Sequence, residues 1–155
     1  MLILDEPSSG LDPIVRRDIL EAIIRTVTDE GRTVIFSSHL LYEVERVSDH
    51  LAMLHRGTLR FCAALDDVKA RHRRLSLHFE RVQTTPPKVP AAIRVDGAGR
   101  EWTIICDADR VHPTAVAQHL GATLVEDTAA SLDEIFIAHA DGPPTPAVNE
   151  PQAVN

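Results

Sequence analysis

Two cysteines are all that the 155 residues contain. Cys62 and Cys106 stand far apart with no CxxC spacing, which excludes a zinc site built on such a pair and suggests no disulfide framework. Both read as core thiols in a reducing compartment. The chain also has no apolar run near the roughly 20 residues that a spanning helix needs, and no basic stretch ahead of an apolar one at its start. A cytoplasmic location is therefore expected, with any membrane association made through a partner. Positive charge is scarce: 16 Lys and Arg face 23 Asp and Glu, a formal net charge of -7. That balance argues against a surface made to neutralise nucleic-acid phosphates or to lie on anionic lipid. There is no internal repeat. What remains is ordinary for a globular chain, 44% hydrophobic and 25% charged, enough for one domain or a half domain with an appendage.

Along the chain, Met1 to Leu4 is continuously apolar and stops at Asp5-Glu6-Pro7, the pattern of a strand buried on both faces that reaches the edge of a parallel sheet. Asp12-Pro13 predicts a helix N-cap followed by proline at the first helical position. Ile19, Ile23 and Val27 continue with helical spacing, and Gly31 closes the helix. Thr33 to Ser37 predicts the next strand, hence a β-α-β unit with a parallel pair. Leu40 to Val47 comes next as a helix. His50 to Leu54 and Thr58 to Phe61 predict a hairpin about Arg56-Gly57. Leu65 to His72 predicts a short helix with a basic end.

After that helix the composition changes. Leu75 to Glu80 alternates like a strand, and Thr84 to Pro90 reads as a loop. Ala92 to Val95 and Trp102 to Cys106 predict a second hairpin about 96–100. A helix near Thr114 to Leu120, a strand near Thr123 to Val125 and a helix over Leu132 to His139 complete a small α+β unit. The proline-rich residues 141–155 predict a disordered tail.

The chemistry concentrates near the start. Asp5 and Glu6 place two carboxylates at the carboxyl end of a strand, where ligands of α/β sheets bind. Neighbours on a strand point in different directions, so one can hold a cation while the other orients a water. An acidic turn that merely ends a strand explains the same pair equally well. His39 comes after the second strand and lies one crossover away from Asp5 and Glu6, which predicts that all three share one sheet edge. A histidine after a strand is otherwise usually a surface or capping residue. The remaining histidines show no ligand spacing and read as mostly surface residues, Lys69 to Arg74 as a solvated helix end, and Trp102 as core.

Taken together, Leu4-Asp5-Glu6-Pro7-Ser8-Ser9-Gly10-Leu11-Asp12-Pro13 resembles the Walker B motif and D-loop of ABC ATPases. Val34-Ile35-Phe36-Ser37-Ser38-His39 is similar to the switch-histidine segment of the same family, and Leu40 to Glu45 and Asp49 to Gly57 resemble the family's segments just after that histidine. The resemblance covers residues 1 to about 65. It implies the carboxyl-terminal part of a P-loop NTPase-type α/β domain (1–72), a small α+β accessory domain (73–140) and the tail. It further implies ATP and Mg²⁺ as cofactors, Asp5 as the residue associated with Mg²⁺, Glu6 acting on the hydrolytic water, and His39 at the γ-phosphate. Ser9 and Asp12 would sit at the interface with a second ATPase subunit, and a membrane permease would be the other partner. A glycine turn that caps a helix accounts for Ser9 to Asp12 as well. Ser131 to Phe136 resembles the closing motif of the accessory domain in exporters of the multidrug and antibiotic-resistance type. A helix capped by Ser131, with Leu132, Ile135 and Phe136 buried, accounts for the same residues.

The sequence carries no GxxxxGK[ST] loop, no LSGGQ-like signature and no glutamine segment before Asp5. In the family these lie upstream, so Met1 is expected to be internal to a longer protein or to begin a truncated frame, and the chain alone is expected to be inactive. Three functions are compatible with these residues: an ATP-hydrolysing subunit of an ABC exporter, a non-hydrolysing module docking on an ABC partner, or a soluble ABC ATPase. The last would ordinarily bring a second cassette or a coiled coil, neither of which is present.

Overall fold

The computed structural model describes residues 1–141, for Asp141 the backbone alone; the rest of the predicted tail lies outside the described residues. The chain separates into two compact units, one of Met1–Asp49 and one from His50 onward. This division falls ahead of the composition change at 72–73, because the segment from His50 packs through its helix on the strand that begins at His72.

The first unit is a β-α-β-α succession: β1 (Leu2–Leu4), α1 (Pro13–Thr28), β2 (Val34–Phe36) and α2 (Leu41–Val47). The strands are parallel, with Leu2, Ile3 and Leu4 opposite Val34, Ile35 and Phe36. The start of α1 is set by its first residues. Asp12 accepts from the amides of Ile14 and Val15, and Pro13 gives up an N–H that would have had no helical partner. The helix ends at Asp29, two residues before Gly31, which takes the left-handed φ of 62°. Leu20 and Ile23 are buried, while Val27 is exposed, so the inward face is shorter than the spacing predicts. The expected two-sided burial of the first strand is overturned: Leu2 is 39% and Ile3 67% exposed, as is Ile35 at 53%. This sheet has two strands among the described residues, which leaves Leu2, Ile3 and Ile35 exposed.

The second unit opens with an antiparallel hairpin, β3 (His50–His55) and β4 (Thr58–Ala64), turning at Arg56-Gly57. Both turn residues have positive φ, 49° and 72°, the primed geometry that matches strand twist. Helix α3 (Leu65–Arg71) leads into β5 (His72–Gln83), the centre of an antiparallel sheet ordered β6-β5-β7, with β6 (Ala92–Asp107) and β7 (Ala122–Ala129) beside it. In place of the predicted second hairpin one long strand runs over Ala92–Asp107, with its turn kept as a tight bend. A Cβ on Gly97 would lie 2.3 Å from the Glu101 carbonyl oxygen, so only glycine allows this approach. Helix α4 (Pro113–Leu120) packs on β7 and α5 (Leu132–Asp141) on β6.

Alternation along the strands builds the core. Leu75, Leu77 and Phe79 from β5 meet Trp102, Ile104 and Cys106 from β6, with Val111 and Ala117 closing one end. Trp102 is core as predicted, and so is Cys106, but Cys62 is exposed. Its place on a two-stranded hairpin leaves it no cover. Ser131 and Glu134 form a reciprocal capping box at the start of α5, amide to side chain in both directions. Leu132 and Ile135 are buried there, whereas Phe136 is 37% exposed. The basic run does not end as a solvated helix. Arg71 pairs with Asp107 and Asp109, and Arg73 and Arg74, already on β5, pair with Asp127 and Glu126 of β7. No helix among the described residues is long and apolar enough to cross a membrane.

The expectation of surface histidines fails at His139, which is 4% exposed, and at His72 beside it. The His72 Nδ1 lies 2.6 Å from the Val68 carbonyl, which can only accept, so this nitrogen carries the proton. The neutral His72 Nε2 then accepts from His139 Nε2 at 2.9 Å. Phe61 stacks edgewise on His139. Burial lowers the pKa of both rings, His139 to about 4, with the neighbouring imidazole and the positive charge of Arg60 adding to it. The unfolded chain therefore binds more protons than the folded one below a pH of about 6.5, and folding stability falls as pH drops from there towards 4. The expected loss is on the order of 2–3 kcal/mol in urea titrations, and H139F should flatten the profile. An unchanged slope in that variant would show that other groups govern it.

Candidate functional site

The parallel register brings the two strand exits side by side, and the side chains there are linked. Ser37 Oγ, just past β2, donates to Asp5 Oδ1 at 2.5 Å and accepts from the Glu6 amide at 2.8 Å. One hydroxyl thus fixes the carboxylate of one residue and the backbone of the next. Glu6 has φ 44°, a left-handed conformation that costs a non-glycine residue about 1–2 kcal/mol. Its carbonyl accepts from the Ser9 amide at 3.0 Å, so both of its backbone polar groups are engaged in holding it there. Such a bend sends the Glu6 side chain towards the end of β2, where Oε2 lies 2.7 Å from His39 Nδ1.

Asp5, Glu6 and His39 are thus brought to one rim, as the crossover predicts, with Ser37 between the first two. With Glu6 ionised, the contact makes His39 Nδ1 the donor. The neutral ring then turns Nε2 outward as an acceptor, and the imidazolium turns it outward as a donor. Side chains of Glu6 and His39 are 35% and 65% exposed, open to a ligand. Ser9 and Asp12 lie further along. Ser9 is exposed, and Asp12 spends Oδ1 on the amides of Ile14 and Val15 at 2.9 and 3.2 Å. The helix-capping reading of Asp12 is therefore satisfied within the chain.

Beneath this rim lies a residue that the motif reading passed over. Glu43 of α2 is 0% exposed. Its Oε2 accepts from Ser8 Oγ at 2.6 Å and Ser38 Oγ at 3.0 Å, its Oε1 from Tyr42 Oη at 3.4 Å, and Arg16 Nε stands 3.5 Å from Oε1. Arg16 also donates to Tyr42 Oη and to the Leu11 carbonyl. One buried carboxylate therefore ties together the segment after β1, the segment after β2 and the starts of both helices. A signal existed: Glu43 adjoins the inward Val44, next to the apolar stripe, where a charged residue needs partners. Ser8 and Ser38, small hydroxyls flanking the two acidic and imidazole positions, are the matching half.

No group of three or more His, Cys, Asp or Glu able to hold a metal occurs among the described residues. Asp5 is at most a single carboxylate ligand. That fits Mg²⁺, which takes one or two carboxylates and fills the rest of its octahedron with water and phosphate oxygens.

Comparison with known proteins yields no matching family model. Curated relatives nevertheless agree in kind. The chain is 22% identical over 142 residues to the ABC transporter ATP-binding protein YtrB of Bacillus subtilis, covering 92% of this chain and 49% of that protein. It is 38% identical over 74 residues to the bacitracin transport ATP-binding protein BcrA of Bacillus licheniformis, 48% of this chain and 24% of that one. It is 44% identical over 164 residues to the human ATP-binding cassette sub-family A member 13, 88% of this chain and 3% of that one. The chain thus spans half or less of the curated relatives it matches, and those relatives are ABC transporter ATP-binding proteins.

The buried carboxylate gives a stability prediction. E43A strands Arg16 and three hydroxyls, and should destabilise the first unit by about 3–5 kcal/mol. E43Q keeps most acceptor capacity and should lose clearly less. Denaturant titration combined with amide exchange in α1 and α2 measures both; a loss under about 1 kcal/mol for E43A would remove Glu43 from its central place.

Proposed function

We propose that this chain is the Walker B, D-loop and switch-histidine portion of an ATP-hydrolysing subunit that drives export through an ABC transporter. The observation that carries the reading is the rim of Asp5, Glu6 and His39, joined through Ser37 and the 2.7 Å Glu6–His39 contact. The naming of relatives as transport ATP-binding proteins, for bacitracin and for a lantibiotic among them, supports it. In this reading Asp5 offers its remaining carboxylate oxygen to Mg²⁺, which would offset phosphate charge when bound. Glu6 Oε1, free of the histidine, orients the attacking water and accepts its proton. The outward His39 Nε2 meets the terminal phosphate and, because that phosphate only accepts, does so as the imidazolium while Nδ1 keeps its hold on Glu6.

Ser9 and Asp12 face a second ATPase subunit in this proposal, and a membrane permease receives the work, so the chain acts at the cytoplasmic side of the membrane. The multidrug or antibiotic-resistance subclass belongs to the proposal too, resting on Ser131 to Phe136 and the α+β unit before it. The main phosphate-binding contacts must come from a GxxxxGK[ST] loop, which the 155 residues do not contain. The uncovered β1–β2 sheet supports the same picture, since parallel strands are stable when further strands and helices flank them. That exposed sheet equally favours a second reading, a non-hydrolysing module docked on an ABC partner.

Three measurements test the proposal. Calorimetry on the chain by itself should detect no MgATP binding, and stoichiometric micromolar binding would overturn the dependence on an added phosphate loop. In a complex that carries this segment and hydrolyses ATP, E6Q should lower turnover by about 100-fold or more while nucleotide affinity stays within a few fold. Unchanged turnover favours the docking module instead. S37A should lower turnover without weakening binding, and S37T should restore it, because what is needed is a hydroxyl that orders Asp5 and the Glu6 amide.

A further inference from the structure

The second unit holds a cavity that the nucleotide reading leaves unused. It is an open pocket of about 330 Å³ between the segment ahead of β6, the turn before α4 and α4 itself, near the lower end of small-molecule pockets, about 300–1,000 Å³. Its floor is apolar, formed by Val89, Val111, Val116 and Leu120. The exposed Lys88, Arg110, His112 and His119 also line it, and no Asp or Glu does. In a chain of net charge -7 that arrangement is unusual. On this unit Arg71, Arg73, Arg74 and Arg94 are each matched by a carboxylate. None of the four side chains lining the pocket enters an ion pair of this kind among the described residues.

The start of α4 adds to the imbalance. His112 stands at the N-cap without a side-chain hydrogen bond to the helix, so the positive end of the helix is left without an anionic or hydroxyl cap. The apolar lining favours hydrocarbon, and Lys88 and Arg110 beside it, neither paired with a carboxylate among the described residues, favour a negative head. We propose that this cavity binds a small amphiphilic anion, a carboxylate or phosphate ester on an apolar body, with Lys88 and Arg110 on the anionic group and Val89, Val116 and Leu120 on the hydrocarbon. The site lies wholly within the second unit and does not depend on the ATPase assignment.

Octanoate and octyl phosphate test it on the full chain, by calorimetry and by amide chemical shifts of α4 and residues 88–90. Octanol, octylammonium and inorganic phosphate are the control probes. Both anions should bind one per chain, and each control at least ~10-fold more weakly, since it lacks the charge or the apolar body. The double variant K88E/R110E should weaken octanoate by ~10-fold or more. A115W, at an exposed position on the cavity wall, should block it with the helix still formed by circular dichroism. Equal binding of phosphate or octylammonium would overturn the proposal, as would indifference to the charge reversal. Retention on vesicles of anionic phospholipid with no uptake of soluble octanoate would overturn it too, by making the patch a surface contact and not a cavity.

Discussion

The site rests on a charge kept where charge is costly. Removing a carboxylate from water costs several kcal/mol even after relaxation, and Glu43 is fully removed from it. The cost is offset only while Ser8, Ser38, Tyr42 and Arg16 converge on it. Because Ser8, Arg16 and Ser38 come from three stretches of chain outside α2, the penalty for losing any one is felt by the others. This converts a local acid into a constraint on tertiary arrangement, and the two strand exits are held in their relative positions by it. The exposed contacts above, Glu6 with His39 and Ser37 with Asp5, are individually weak in solvent. They become ordered because the segments that carry them are ordered from below.

The two units reach stability by different means. In the second, alternating β5 and β6 residues fill a closed core, and a helix lies against each outer strand. In the first, the apolar residues of β1 and β2 are placed by register, and half of them, Leu2, Ile3 and Ile35, are left exposed. An α/β sheet of this kind normally hides both faces, so the exposed Leu2, Ile3 and Ile35 measure how much burial the first unit leaves undone. With Leu20 and Ile23 the only residues of α1 that are buried, the polar network around Glu43 carries an unusually large share of its definition.

How much of this could be read in the chain depends on range. Elements specified by neighbours in sequence are where the residues put them: α1 from its Asp-Pro start, the β3–β4 hairpin from Arg-Gly, α5 from Ser131 and Glu134. The meeting of Asp5, Glu6 and His39 was legible because one crossover is a local rule with a long reach. Burial was not. Whether Ile3, Val27, Cys62, Phe136 or His139 is covered depends on what lies across from it, and periodicity is silent on that. Glu43 was missed for the same reason, since a carboxylate in a helix reads as solvated until partners as far as 35 residues away are in place.

The left-handed turn at Glu6 then acquires a reason. An extended residue after β1 would continue the alternation and send its side chain to the face opposite its neighbour's, away from His39. Reversing φ at this one position lets consecutive carboxylates serve one rim, Asp5 towards Ser37 and Glu6 towards His39. The strain is borne by the Ser37 hydroxyl and the Ser9 amide, which hold the two sides of the Glu6 backbone. Glycine would take the same turn without strain but carries no carboxylate. A non-glycine residue in this conformation is therefore most simply understood as retained for its side chain, and the contact that side chain makes is with the histidine.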